Sequence, residues 1–114
     1  MPIVRTGGTG EADRDAPCRL MFERAHWRMR NLIRRGRYVM TIHGFAEMVD
    51  DDLTLAEIEY CVLMGTIVER QRDRETREWK YLVRRRLASE AVVTVLKFGA
   101  PDMLVIITTY REER

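Results

Sequence analysis

Apolar residues recur at helical spacing between Cys18 and Arg35, where Met21, Ala25, Met29 and Leu32 form one stripe joined by Phe22, Trp27 and Ile33. Gly36 supplies a stop, so a first helix is predicted over 18–35. Tyr38 to Ile42 reads as a short extended segment leading into His43. Phe45, Met48 and Val49 return to helical spacing within 44–49, and Asp50, Asp51 and Asp52 end that short helix in a turn expected to be solvated. Thr54 and Glu57 have the spacing of a capping box, and Leu55, Ile58 and Val62 follow as one apolar stripe. A third helix is therefore predicted over 55–64, with Gly65 as its left-handed C-terminal cap.

Beyond Gly65 the pattern shifts towards a period of two. Thr66 to Arg70 is a strand candidate, and Gln71 to Arg77 is a charged hairpin loop. Trp79, Tyr81 and Val83 alternate with Lys80, Leu82 and Arg84, which predicts a second strand. Ala91 to Phe98 and Met103 to Tyr110 are two further runs rich in Val, Ile, Thr and aromatics. The Gly-Ala-Pro-Asp between them is turn chemistry and predicts an antiparallel hairpin. Helices followed by a meander of about four strands give an α+β fold, with N-terminal helices packed on one face of a small antiparallel sheet. A single domain is expected over 17–114. Residues 1–16 should be a flexible tail, because they offer too little apolar surface to offset the entropy of ordering them.

Composition narrows the class. At 46% hydrophobic the chain is too apolar to be wholly disordered. No segment approaches the roughly 20 apolar residues of a membrane span, so no membrane partner is expected. Cys18 and Cys61 lack any paired spacing and read as small core residues. The first residues lack an apolar segment of signal-peptide length, and a cytoplasmic location is the expectation.

The formal charge of +2 conceals segregation. Residues 19–37 hold seven Arg and one Glu, residues 38–69 hold seven acids and no Lys or Arg, and residues 70–86 hold eight basic groups against three acids. Local field rather than net charge decides whether a polyanion approaches, so a face shared by the basic segments could hold phosphates. The competing reading is that acidic and basic segments pair with each other inside the fold. Of the 20 basic residues all but Lys80 and Lys97 are Arg, the side chain suited to forked phosphate contacts.

His43 stands at a strand-to-helix junction, where a histidine can act as acid or base near neutral pH or simply cap the helix. Thr108-Thr109-Tyr110-Arg111 places a phenol beside a guanidinium as the last strand ends. Cleavage of RNA by protein groups alone needs phosphate binding, charge stabilisation and proton movement, and Arg, Tyr, His and Lys can supply all three. His26 has no partner at metal-ligand spacing, and Asp50–Asp52 lack the interleaved pattern of a calcium loop. The chain contains no P-loop, dinucleotide glycine motif or zinc-ligand cluster, so no metal or cofactor is expected.

From Ile42 onward the order I-H-G-F-A-E-M, a Thr-Leu-Ala-Glu-Ile-Glu helix start, M-G-T-I-V-E-R, W-K-Y-L-V, an apolar strand and V-I-I-T-T-Y resembles the bacterial family catalogued as domain of unknown function 4258. The resemblance covers about residues 38–111. Gly44 stands where that family usually has Ala, and Arg84 to Arg86 where many members have Gly. The resemblance implies a fold similar to the RelE/ParE toxin superfamily. Some members look like toxins encoded beside a small antitoxin, often one with a zinc finger. RelE-like ribonucleases use Arg, Lys and a C-terminal Tyr on the sheet face, and Arg84, Arg86, Tyr110 and Arg111 match best by position.

The expectation is thus a toxin-like ribonuclease that works without a metal. His43, Arg84, Arg86 and Tyr110 would form its catalytic set, Lys80, Arg85 and Arg111 would hold phosphate, and RNA and a small antitoxin would be its partners. The alternative is a non-catalytic module whose Arg-rich face holds an acidic partner.

Overall fold

The computed structural model describes residues 16–113. The expected tail and the side chains of Cys18 and Met21 lie outside the described residues. Helix α1 (Ala16–Arg34) precedes strand β1 (Tyr38–Met40), and helices α2 (Ile42–Asp50) and α3 (Leu55–Met64) follow. Strands β2 (Thr66–Arg72), β3 (Trp79–Arg86), β4 (Glu90–Gly99) and β5 (Met103–Glu113) complete the chain.

Local chemistry sets these boundaries. Gly36 takes φ +71° as α1 ends, a conformation that costs glycine nothing. The stretch predicted to be extended as far as Ile42 stops at Met40, because Thr41 caps α2: its hydroxyl accepts from Gly44 N at 2.9 Å and donates to the Ile107 carbonyl at 3.0 Å. The capping box of α3 forms as expected, with Glu57 N to Thr54 Oγ1 at 3.1 Å and Thr54 N to Glu57 Oε1 at 2.9 Å.

Gly65 departs from expectation. Its backbone is extended (φ −84°, ψ −164°) rather than left-handed. A Cβ there would lie 2.5 Å from the Cys61 carbonyl oxygen and 2.7 Å from that of Arg84. The position requires glycine because the α3 terminus and β3 approach each other closely there.

The sheet has five strands in the order β1-β5-β4-β3-β2. It is mixed, not purely antiparallel as predicted, since β1 runs parallel to β5 with Tyr38 opposite Leu104. Three residues after Gly36 sufficed to form this edge, too short a run to announce itself by alternation. Val68 and Ile107 are the extra residues of two bulges, one in β2 and one in β5.

Register and alternation assign every side chain to a face. Tyr81 and Val83 of β3, Val92, Thr94 and Leu96 of β4, and Leu104, Ile106 and Thr109 of β5 face the helices. They meet Met29, Leu32 and Ile33 of α1, Met48 of α2, and Ile58, Cys61 and Val62 of α3 in one core. Each fully buried Leu, Ile or Met there contributes about 1.5–3 kcal/mol by leaving water.

Two polar contacts fix the helix layer. His26 Nε2 bonds the Val62 carbonyl at 2.7 Å and ties α1 to α3, while the Tyr38 hydroxyl donates to Glu59. Cys61 is a free, buried thiol 3.3 Å from the Val92 carbonyl, as its core reading predicts.

Candidate functional site

The other face of the sheet carries none of the three helices. Lys80, Arg84 and Arg86 of β3 project there with Thr66, Glu69 and Gln71 of β2, and with Thr108, Tyr110 and Glu112 of β5. Val93 lies between Arg84 and Tyr110 in the register, and Ala91 between Arg86 and Glu112. Both are buried, as the long side chains on either strand lean over them. Arg84 reaches across β4 to Glu112, with Nε 2.9 Å from Oε1 but not aligned on it for a hydrogen bond, and Nη2 donating to Oε2 at 3.4 Å.

Beside the C-terminal end of α3 lies a pocket of ≈ 470 Å³ that draws on both faces, lined by Met64, Gly65, Thr66 and Val68 with Arg84 and Arg86 of this face and Arg85 of the other. Tyr110 is half-buried. Burial first, and then the Glu112 carboxylate, push its hydroxyl above the ordinary range, so at neutral pH it is a proton donor.

His43 is the second residue of α2, exposed, with Nε2 3.7 Å from Glu47 Oε2. It does not cap the helix, a task Thr41 performs. Gly44 rests on the β5 backbone, where a Cβ would be 3.0 Å from the Ile106 oxygen. Met48 turns from that contact into the core. Helical geometry therefore puts His43 and Glu47 on the flank of α2 that lies across Gly44 from Met48. No hydrogen bond or ion pair joins His43 to Arg84, Arg86 or Tyr110 among the described residues.

Two of the expected phosphate ligands have other tasks. Arg85 points to the helix side, its guanidinium 5.5 Å from the Tyr60 ring centroid. Arg111 also faces the helices and serves as a clamp. Its Nε donates to the Asp51 carbonyl at 3.0 Å, Nη1 to Glu90 at 2.7 Å and Nη2 to the Asp52 carbonyl at 3.0 Å. Asp51 Oδ2 also accepts the Arg111 amide at 2.7 Å, so the triple-aspartate turn is docked on β5 rather than merely solvated.

Sequence reasoning missed Glu112 and Glu69, whose importance depends on register. Counting two positions on from Tyr110 reaches Glu112, and carrying the register across the hairpins reaches Glu69.

A family model described as Domain of unknown function (DUF4258) matches residues 40–111. The chain belongs to this family. The matched stretch takes in α2, α3, all of β2–β4, the end of β1 and β5 through Arg111, and hence nearly all of the helix-free face. All of α1 lies outside it, so the DUF4258 match does not account for the seven arginines of 19–37. No curated protein and no solved structure matches the chain significantly. Among the described residues no three His, Cys, Asp or Glu side chains are grouped to hold a metal ion, and no helix is long and apolar enough to cross a membrane.

Proposed function

We propose that this DUF4258 chain is a toxin-like, RNA-cleaving protein with a RelE-like use of its sheet, acting in the cytoplasm and held in check by a small antitoxin. The observation that carries the reading is the register that brings Lys80, Arg84, Arg86 and Tyr110 onto one helix-free sheet face.

In the proposed reaction a 2′-hydroxyl loses its proton to His43 and attacks the adjacent phosphorus. The bond to the 5′ oxygen breaks as a 2′,3′-cyclic phosphate forms, and the leaving oxygen takes a proton from Tyr110. Arg84 and Arg86 stabilise the charge that builds on the phosphoryl oxygens, and Lys80 holds a neighbouring phosphate. The raised pKa keeps Tyr110 protonated at neutral pH but makes it a weaker acid, so in this reaction the proton moves only as the departing 5′ oxygen becomes more basic than the phenolate.

A non-catalytic module that binds an acidic partner is the second reading, favoured by the engagement of Arg84 with Glu112. Purified protein incubated with RNA, with and without a chelator, separates them. Cleavage that survives the chelator and falls about 100-fold in Tyr110→Phe supports the ribonuclease. Binding without cleavage, and no growth arrest on expression, would sink it in favour of the module.

A further inference from the structure

The β2–β3 hairpin sorts its charges unevenly. Two of its four acids are engaged with cations: Asp73 accepts from the Glu75 and Thr76 amides at 2.9 and 3.0 Å and lies 3.6 Å from Lys80, while Glu78 takes Lys97 at 2.6 Å. Arg70, Arg72, Arg74 and Arg77 have no carboxylate within 4.0 Å among the described residues, where Glu75 is the one acid of the loop left without a basic partner.

Two of the four are held in place by an aromatic ring. The Arg70 guanidinium lies 3.9 Å and that of Arg72 4.7 Å from the Trp79 ring centroid. Trp79 stays 37% exposed, on the helix-side face, where Arg72 is its cross-strand partner. Like charges two residues apart on one strand repel, and the ring offsets only part of that cost. An anion between the two guanidiniums would relieve the rest, and a phosphodiester fits their planar, forked donors.

We infer that the β2–β3 hairpin is a second RNA-binding element, in which Arg70 and Arg72, oriented by Trp79, grip backbone phosphates of a single strand outside the cleavage face. The inference rests on RNA being the ligand of the proposed function, but not on its being cleaved. Trp79 is a positioning residue here, since its ring is already covered by guanidinium groups. Arg74 and Arg77 extend the same basic edge around the hairpin tip.

The experiment measures binding of a labelled single-stranded RNA by the full chain across a salt series. Arg70→Gln/Arg72→Gln should weaken binding by about tenfold or more and flatten the log–log salt slope by about 1.4, two phosphate contacts at ~0.7 each. Trp79→Ala should show part of that loss and Trp79→Phe should restore it, with thermal unfolding confirming that each variant folds. Single-turnover cleavage at saturating RNA should stay unchanged in the arginine variant. An unchanged affinity and salt slope would overturn the inference, as would a wild type that binds no RNA. Equal affinity for poly-aspartate, lost in the same variant, would reassign the hairpin to an acidic protein and also overturn it. Absence of cleavage with the hairpin effect intact would defeat only the proposed function.

Discussion

Arg111 holds Asp51 twice: its backbone amide donates to the Asp51 carboxylate at 2.7 Å and its Nε to the Asp51 carbonyl at 3.0 Å. The same guanidinium reaches Asp52, Glu57 and Glu90, so one side chain joins the α2–α3 turn, the start of α3 and β4 to the last strand. Arg111→Ala strips partners from two carbonyls and two carboxylates at once. It should cost about 2–4 kcal/mol in denaturant unfolding, and Arg111→Lys should recover less than half because an ammonium cannot fork. RNA affinity at a temperature where the variant is folded should not change, which separates this role from the phosphate-binding one expected of the sequence.

His26 makes stability depend on pH. Burial lowers its pKa below 6.5, outweighing the bond to the Val62 carbonyl, which pulls the other way. A base whose folded pKa is lowered binds its proton more readily in the unfolded chain. Stability is therefore full above the unfolded pKa and is lost as pH falls below about 6.5 towards the lower folded value. Denaturant midpoints measured between pH 7.5 and 5 should decline in the wild type. In His26→Asn that decline should be reduced, even though the variant is less stable at pH 7.5.

The contrast between what the sequence revealed and what it hid follows from range. The α3 capping box was legible because both partners lie within four residues, and the β4–β5 hairpin because its turn chemistry is local. The clamp made by Arg111 was not legible because its partners are 21 to 60 residues away and alternation alone could not say which face was covered. Tyr110, Arg84 and Arg86 share a face, since one count of period two per strand fixes them once pairing is known, whereas no such count places His43 of α2. Pairing β1 to β5 needed tertiary information, because three residues carry no period.

Gly65 should tolerate no side chain. In Gly65→Ala the new methyl would need to displace the backbone of α3 or of Arg84, both fixed by the core on either side. Overpacking of this kind costs about 1–3 kcal/mol, and a midpoint unchanged by the substitution would show that the α3–β3 approach is looser than described. Relaxation should move Met64 and Thr66, which line the arginine pocket, so the variant should also bind RNA more weakly than its stability alone explains.

Glu112 competes with RNA for Arg84. The carboxylate sits 2.9 Å from the guanidinium and also raises the Tyr110 pKa, so it restrains two members of the proposed site. Glu112→Gln keeps the shape and removes the charge. With Arg84 released, phosphate binding should tighten by about three- to tenfold at low salt, and the salt slope should steepen by up to ~0.7 as one further cation engages the backbone. Arg86, which has no acidic partner among the described residues, supplies the control: Arg86→Gln should weaken RNA binding in both backgrounds with little change in thermal unfolding. If Glu112→Gln instead weakens binding, the carboxylate serves to aim Arg84 rather than to occupy it. The face would then be arranged around a fixed Arg84–Glu112 pair, with Arg86 as its one cation lacking a carboxylate partner among the described residues.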